Sequence, residues 1–469
     1  MRKSVRAFGF DRAGGPTRGT RRADLVLHDG SRVGVVGGGP AGSFFAFFLL
    51  DIARRVGLDL SVDIYESRDF SIPGPAGCNM CGGVVSESLV QALAAEGIDL
   101  PSSVVERGID SYVLHMEEGS VHIRTPLAEM RIAAVHRGAG PRGITASKWS
   151  SFDDHLLQLA AGKGANLVRR RVENVTWEEG RPSIRSRDGP PGTYDLLAIA
   201  AGVNTPLLAL LETGDLGYRP PRTTKTYICE IFLGQDEVKE RFGNSMHVFL
   251  LDLPRLEFAA LVPKGDYVTM CLLGREIDRS LVETFFASRE VKACLPPGWS
   301  PPENLCHCSP RMSVRGAVSP FADRMVFIGD SGVTRLYKDG IGAAYRTAKS
   351  AAVTAIFDGI SVEDFRRRYG KVCRSIQTDN AIGRIMFAVA AMQRNRPHDC
   401  RGILRMVAKE QETDGADLRM SMVMWDIFTG SAPYSNVFLR TLHPFFWGRL
   451  LWEVLMGAAV GPRPVREGT

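Results

Sequence analysis

The chain has 469 residues, is 44% hydrophobic and 23% charged, and carries a formal net charge of +6. That is room for two or three domains on a length prior and an ordinary globular composition. The mild positive balance gives no ground for a nucleic-acid partner, and nine scattered cysteines exclude a dense disulfide framework and point to a reducing, cytoplasmic compartment.

Residues 1–30 are rich in Arg and Gly with little to bury, and read as a disordered basic arm. The arm has no apolar stretch, so it is not a secretory signal; an organelle transit peptide is the minority reading. Residues 33–42, VGVVGGGPAG, follow. Val33, Val35 and Val36 predict a buried parallel strand, and residues 43–50 a helix. Between them Gly37, Gly39 and Gly42 form G-x-G-x-x-G. Gly37 permits the tight turn, Gly39 lets the backbone approach a pyrophosphate, and Gly42 lets the helix pack on the sheet. Pro40 and Ala41 open the helix, whose N-terminus favours anions. A second strand, Leu60 to Tyr65, ends at Glu66, followed by Ser67. Glu66 stands where a carboxylate on an adenosine ribose is expected. Phe44, Phe45, Phe47 and Phe48 are expected in the core.

A glycine-rich loop spans Gly74 to Gly83 and contains Cys78-x-x-Cys81. Zinc would need a second ligand pair, and Cys306-His307-Cys308 has unusual spacing, so no metal site is expected. A thiol beside a redox ring is the sharper reading, with Cys81, next to Gly82 and Gly83, the better placed candidate. The bland alternative is a turn that makes room for a cofactor. Ser86 begins a helix, residues 109–124 form a hairpin turning at Glu117-Glu118-Gly119, and residues 136–148 form a loop. A helix follows with Phe152, Leu156, Leu157 and Leu159 on one side. Ala165 to Trp177 gives two strand segments, and Tyr194 to Gly202 a buried strand returning to the first sheet. Residues 223–274 read as an antiparallel sheet, with Pro263-Lys264-Gly265-Asp266 as a hairpin turn. Such a sheet suits a domain that covers a substrate.

Met325 to Ile328 predicts another buried strand, running into Gly329-Asp330. Lys338-Asp339-Gly340-Ile341-Gly342 then starts a long helix. An aspartate at a strand end can accept from a ribityl hydroxyl. Backbone N–H groups at Gly340 to Gly342 can face a flavin's pyrimidine oxygen. No second G-x-G-x-x-G exists, so a separate nicotinamide domain is not expected, and reducing equivalents would come from transient NAD(P)H or a protein donor.

Three stretches resemble glutathione-reductase-type flavoproteins of the p-hydroxybenzoate hydroxylase branch: Gly37-x-Gly39-x-x-Gly42 with Glu66, the strand ending at Gly202, and Gly329-Asp330 with its glycine-started helix. Within that branch, Cys81-Gly82-Gly83-Val84-Val85-Ser86 and Phe258 to Gly265 resemble the geranylgeranyl reductase family, over roughly residues 31–360. The resemblance implies FAD and the reduction of isolated double bonds in isoprenoid chains. This sequence departs from the family at Ala259-Ala260-Leu261, where a tryptophan is usual, and at Lys338-Asp339, where a glycine-acid pair is common. Ser147-Lys148-Trp149 stands where an arginine usually precedes the Phe-Asp matched by Phe152-Asp153, and Arg142 lies further back. No Trp-x-Trp exists, which disfavours a flavin halogenase.

The expected architecture is α/β. A Rossmann-like FAD-binding domain spans 31–220 and 311–360. Inserted in it, an antiparallel substrate-covering sheet spans 221–310, and a helical C-terminal region spans 361–469. The expected activity is hydride transfer from reduced flavin to an alkene of an apolar, lipid-like substrate. A flavin monooxygenase acting on an aromatic or polyketide-like substrate and a non-catalytic electron-transfer flavoprotein are the alternatives. The segment 434–460 is apolar yet interrupted by Arg449 and Glu453, too short and charged for a span. It packs on the core or meets a membrane peripherally. Oligomeric state is open.

Overall fold

The computed structural model describes residues 25–459, apart from 126–131, 145–148, 214–215 and 413–417. Most of the basic arm and Ser147-Lys148 therefore lie outside the described residues. The end of the arm is not loose: Leu25 and Leu27 are buried, and the Leu25 carbonyl accepts from Ile360 N at 2.9 Å.

The first strand, β1 (Ser31–Val36), leads through the glycine turn into α1 (Pro40–Arg55) and back to β2 (Leu60–Tyr65). β1 is central in a six-stranded sheet. On one side it pairs in parallel with Leu196–Ile199, then Met325–Phe327; on the other with β2, then Asn166–Val168. A short antiparallel strand, Phe321–Ala322, closes one edge. Both faces are buried, as a parallel sheet requires. α1, Phe152–Gly162 and Gly340–Phe357 cover one face, where Phe44, Phe45, Phe47 and Phe48 are core residues. Phe44 meets Tyr345 edge-on at 5.7 Å. A small sheet containing Val172–Glu178 and Arg181–Ser186 covers the other.

The second sheet has seven strands, ordered 306–308, 227–232, 267–274, 256–264, 245–249, 111–116 and 119–124. Its last two strands come from far upstream of residue 221, so the inserted sheet is not confined to 221–310. It is not wholly antiparallel either: Ser245–Phe249 and Ser111–Met116 run parallel, because they belong to separate excursions of the chain. The expected turn at 263–266 is shorter. Leu256–Lys264 stays a strand through Pro263 and Lys264, and Gly265-Asp266 turns into Tyr267–Gly274.

Strand alternation gives this sheet two faces. Helices Gln235–Phe242, Arg279–Ala287 and Arg289–Cys294 cover the outer face, over Ala259, Leu261, Met270 and Leu272. The inner face, with Phe258, Ala260 and Val262, meets the C-terminal helices. These include Tyr369–Arg394, Pro397–Glu412 and Arg419–Thr429. Trp425 is buried there, stacked on Tyr112 at 5.5 Å, and its indole N–H donates to Glu87 at 2.8 Å. The last helices are Tyr434–Thr441 and Pro444–Ala459. No helix among the described residues is long and apolar enough to cross a membrane.

Candidate active site

A cleft of about 600 Å³ opens between the C-terminal ends of the parallel strands and the inner face of the second sheet. This is where open α/β sheets place ligands. Gly37, Gly39, Pro40, Ala41, Glu66, Ser67, Cys81, Gly82, Gly83, Gly202, Asp330, Gly340 and Ile341 all line it. These sequence-predicted residues are therefore brought together from six separate stretches.

Gly37 has φ +105°, the conformation that favours glycine, and its N–H donates to Tyr65 O at 2.9 Å. Gly39 caps α1, whose first turn carries no acidic side chain. The helix N-terminus at Gly39 to Ala41 lines the cleft. The Glu66 carboxylate accepts from Gly38 N at 3.0 Å and Arg68 N at 2.9 Å, which fixes it at the rim. Three expected cofactor residues, Gly42, Gly329 and Gly342, do not line the cleft. A Cβ on Gly42 would sit 1.9 Å from Gly37 O, and one on Gly329 2.6 Å from the Ala41 methyl. One on Gly342 would sit 2.1 Å from an Asp339 carboxylate oxygen. Each makes room for packing behind the cleft.

Gly83 has φ +66°, and a Cβ there would lie 1.9 Å from Val135 O. The Lys264 ammonium donates to Gly82 O at 2.7 Å. Lys264 is fully buried, so the lysine that reads as part of a turn instead pins the Cys-Gly-Gly loop. Its neighbour Glu230 accepts from Thr269 at 2.7 Å and faces His136 at 3.7 Å. Burial works to raise the Glu230 carboxyl, but Lys264, His136 and Thr269 together hold it below its usual range.

Arg137 is a cleft residue that sequence reasoning missed. Its guanidinium grips Asp153 with Nε and Nη2, the latter at 2.8 Å, and touches the Cys81 thiol. The arginine facing Asp153 therefore comes from 16 residues upstream rather than from the segment beside Trp149. Burial opposes the Arg137 charge, yet Asp153 and Cys81 raise its pKa above the ordinary value. Asn79 also donates to Asp153 and accepts from Arg68, tying the cysteine loop to the Glu66 turn. Asp330 is exposed toward the cleft, yet the protein packed around it pushes its carboxyl up, against the pull of Thr334 and Arg137.

Lys338-Asp339 explains its own departure from the glycine-acid pattern. Asp339 adopts φ +49° at the cap of Gly340–Phe357, bonded to Arg335 at 2.7 Å and Arg346 at 2.6 Å. The N–H groups of Gly340 and Ile341 precede the first helical bond, Ala343 N to Asp339 O. Lys338 turns inward, donating to Asp426 O at 2.9 Å and Ala432 O at 3.0 Å over the Tyr434 ring. Burial, then the Arg335 cation, push its ammonium down from 10.5 to about 7. Between those values the unfolded chain binds the extra proton, so stability rises with pH. We expect wild-type urea midpoints to climb from pH ~7 to ~9, by up to about 1.4 kcal/mol per unit. Lys338→Met should flatten that slope; equal slopes would remove the buried ammonium from the account.

Cys78, Cys81, Cys306 and Cys308 line a second, small cavity of about 40 Å³. Among the described residues they do not form a cluster of three ligand atoms at metal-binding separation.

No protein-family model matches the chain, and no curated protein does. Solved structures do. A geranylgeranyl bacteriochlorophyll reductase-like protein from Thermoplasma acidophilum aligns with a TM-score of 0.62 at 16% identity, over 88% of this chain and 99% of that one. A flavoprotein/dehydrogenase from Cytophaga hutchinsonii gives 0.57 at 12%, over 92% and 98%. A variant of the halogenase PltM in complex with FAD gives 0.57 at 11%, over 92% and 96%. The chain therefore has the fold that these reductase, dehydrogenase and halogenase flavoproteins share.

Proposed function

We propose that the chain is an FAD-dependent oxidoreductase that reduces carbon–carbon double bonds of an apolar, isoprenoid-like substrate. The residues present fit the cofactor. Two helix N-termini, at Pro40 and Gly340, and the fixed Glu66 carboxylate open on one cleft. Gly39 to Ala41 and Glu66 would hold the ADP half, and Asp330, Gly340 and Ile341 the ribityl and ring half. Bound there and reduced by a nicotinamide or protein donor, the flavin would supply a hydride to the alkene. The observation that carries the substrate class is the inner sheet face, which contributes the apolar side chains Met246, Val248, Phe258, Ala260, Val262 and Leu273 to the cleft lining. It offers a hydrocarbon chain contact without stranding polar groups. Of Ala259-Ala260-Leu261, the stretch where the resembled family usually shows a tryptophan, Ala260 lines the cleft. Cys81 is kept as the candidate thiol.

The test is anaerobic. The purified protein should be yellow and release FAD. After reduction, a geranylgeranyl lipid should reoxidise the flavin without oxygen and appear saturated by mass spectrometry, in Cys81→Ala as well if the thiol only fills space. Reoxidation that requires oxygen and adds an oxygen atom would convert the reading to a monooxygenase. Reoxidation by neither would leave an electron-transfer flavoprotein. The same assay with NADPH or NADH alone asks whether a nicotinamide or a protein is the donor.

A peripheral membrane contact is the second reading, favoured by the last helix. Phe446 and Leu450 pack on the core, while Phe445 (76% exposed), Trp447, Leu451, Trp452 (59%) and Leu455 face outward. Aromatic and leucine side chains at one surface suit a bilayer interface. Vesicles of mixed zwitterionic and anionic lipid should sediment the wild type, and Trp447→Glu with Trp452→Glu should abolish sedimentation. Equal sedimentation of both proteins would refute the contact.

A further inference from the structure

The strongest unassigned feature lies on the outer face of the seven-stranded sheet, opposite the cleft. His115 on Ser111–Met116, His247 on Ser245–Phe249 and Cys294 at the end of Arg289–Cys294 converge there. Their exposures are 7%, 8% and 6%. His115 Nε2 lies 3.0 Å from His247 Nδ1, His247 Nδ1 lies 3.3 Å from Cys294 Sγ, and Cys294 Sγ lies 3.7 Å from His115 Nε2. We propose that His115, His247 and Cys294 bind one zinc ion, with water at the fourth position.

An ion about 2.1 Å from nitrogen and about 2.3 Å from sulfur spans tetrahedral edges of roughly 3.4 Å and 3.6 Å. The N···N separation of 3.0 Å is short of its edge and the N···S separations of 3.3 and 3.7 Å fall either side of theirs, so a metal fits the triangle with shifts of a few tenths of an ångström. The outer contacts support the required tautomer. His115 Nδ1 meets Ser120 Oγ at 2.7 Å. Donation from Nδ1–H to that oxygen leaves the Nε2 lone pair pointing into the triangle, the arrangement that orients a metal-ligating histidine. Phe249 stacks on His115 at 4.6 Å and Phe242 packs on His247 at 4.7 Å, so the triangle has apolar walls. Imidazole and thiolate together select zinc over magnesium or calcium.

The competing arrangement is a metal-free core in which the histidines bond each other and the Cys294 thiol donates to Glu290 O at 3.3 Å. His122 sits on the same face but turns to Ser245 at 3.4 Å, outside the triangle. The site joins the sheet's one parallel junction to the helix above it. It does not face the cleft, so its role is to clamp the fold.

Full-length protein purified without chelator should carry one zinc ion per chain. After chelation it should take up one equivalent of added Zn²⁺ in calorimetry. Cys294→Ser and His247→Gln should each weaken uptake by more than about 100-fold, the upper end of what losing an outer contact costs. Ser120→Ala should weaken it about tenfold. The visible flavin spectrum should not move. If the ligand variants fail to fold, zinc-edge X-ray absorption on the wild type decides. One sulfur and two imidazole nitrogens support the site; two or more sulfurs would place the ion at the Cys78, Cys306 and Cys308 cavity and overturn it. No uptake by the wild type, or full uptake by both ligand variants, would overturn it equally.

Discussion

Gly42→Ala is expected to lower the unfolding free energy by about 3 kcal/mol or more and to leave the purified protein without bound flavin. The added methyl would sit 1.9 Å from the carbonyl oxygen of Gly37 and 3.1 Å from Val35 Cγ1. The first neighbour is backbone of the glycine turn, not the end of a flexible side chain. α1 must therefore lift off the sheet, and a well-packed core resists this at about 1–3 kcal/mol, more where backbone moves. Because α1 carries both the Phe44 to Phe48 core and the N–H groups at the cleft, the same shift loosens packing and misdirects the anion site. Gly162→Ala is the control. It ends the helix Phe152–Gly162, has nothing within 4 Å of a new Cβ, and should change stability by less than about 0.5 kcal/mol. Urea unfolding followed by circular dichroism reads both. Matching midpoints for the two variants would contradict the steric role assigned to Gly42.

The strand–turn–helix–strand unit from Val33 to Glu66 was legible because every signal in it is local: valine alternation, glycines at fixed offsets, and an acid at a strand end. The same holds for Gly329-Asp330 and the helix begun at Gly340. The departures share a different physics. Lys264 reads as turn surface because lysine beside glycine usually is. Its burial depends on Gly82 O, 182 residues away in sequence. Arg137 pairs with Asp153 across a loop and a helix start, and nothing local marks which of several arginines will do so. Residues 109–124 read as a hairpin, and Ser111–Met116 does pair with Gly119–Arg124, but the sheet they join is set by Ser245–Phe249, a parallel partner with no local signature. Gly342 shows the limit of motif transfer. It sits at the expected place in the pattern, yet its missing side chain makes room for Asp339.

Arg137→Met should be among the most destabilising single changes near the cleft. Asp153 is fully buried, and Arg137 supplies two hydrogen bonds and the compensating charge. Removing one partner of a buried pair leaves an uncompensated ion and costs roughly 3–5 kcal/mol. Asn79 would remain as the donor to Asp153, but a neutral amide does not balance the charge. Replacing both partners tests this account. Arg137→Met with Asp153→Leu has no stranded charge, so the double variant should recover at least about 1 kcal/mol relative to Arg137→Met alone. Urea midpoints on the single and double variants give the coupling. A cleft-side readout separates stability from positioning. The pair holds Cys81 through Arg137 and Asn79 through Asp153, so the loop that presents Cys81 and Gly82 to the cleft should be freed in both variants. Thiol-labelling of Cys81, scored by mass spectrometry of the labelled peptide, should accelerate in the double variant even where its stability returns. If stability and labelling recover together, the pair only fills the core. If the double variant is no more stable than the single, the loss at Arg137 comes from packing and not from a stranded charge.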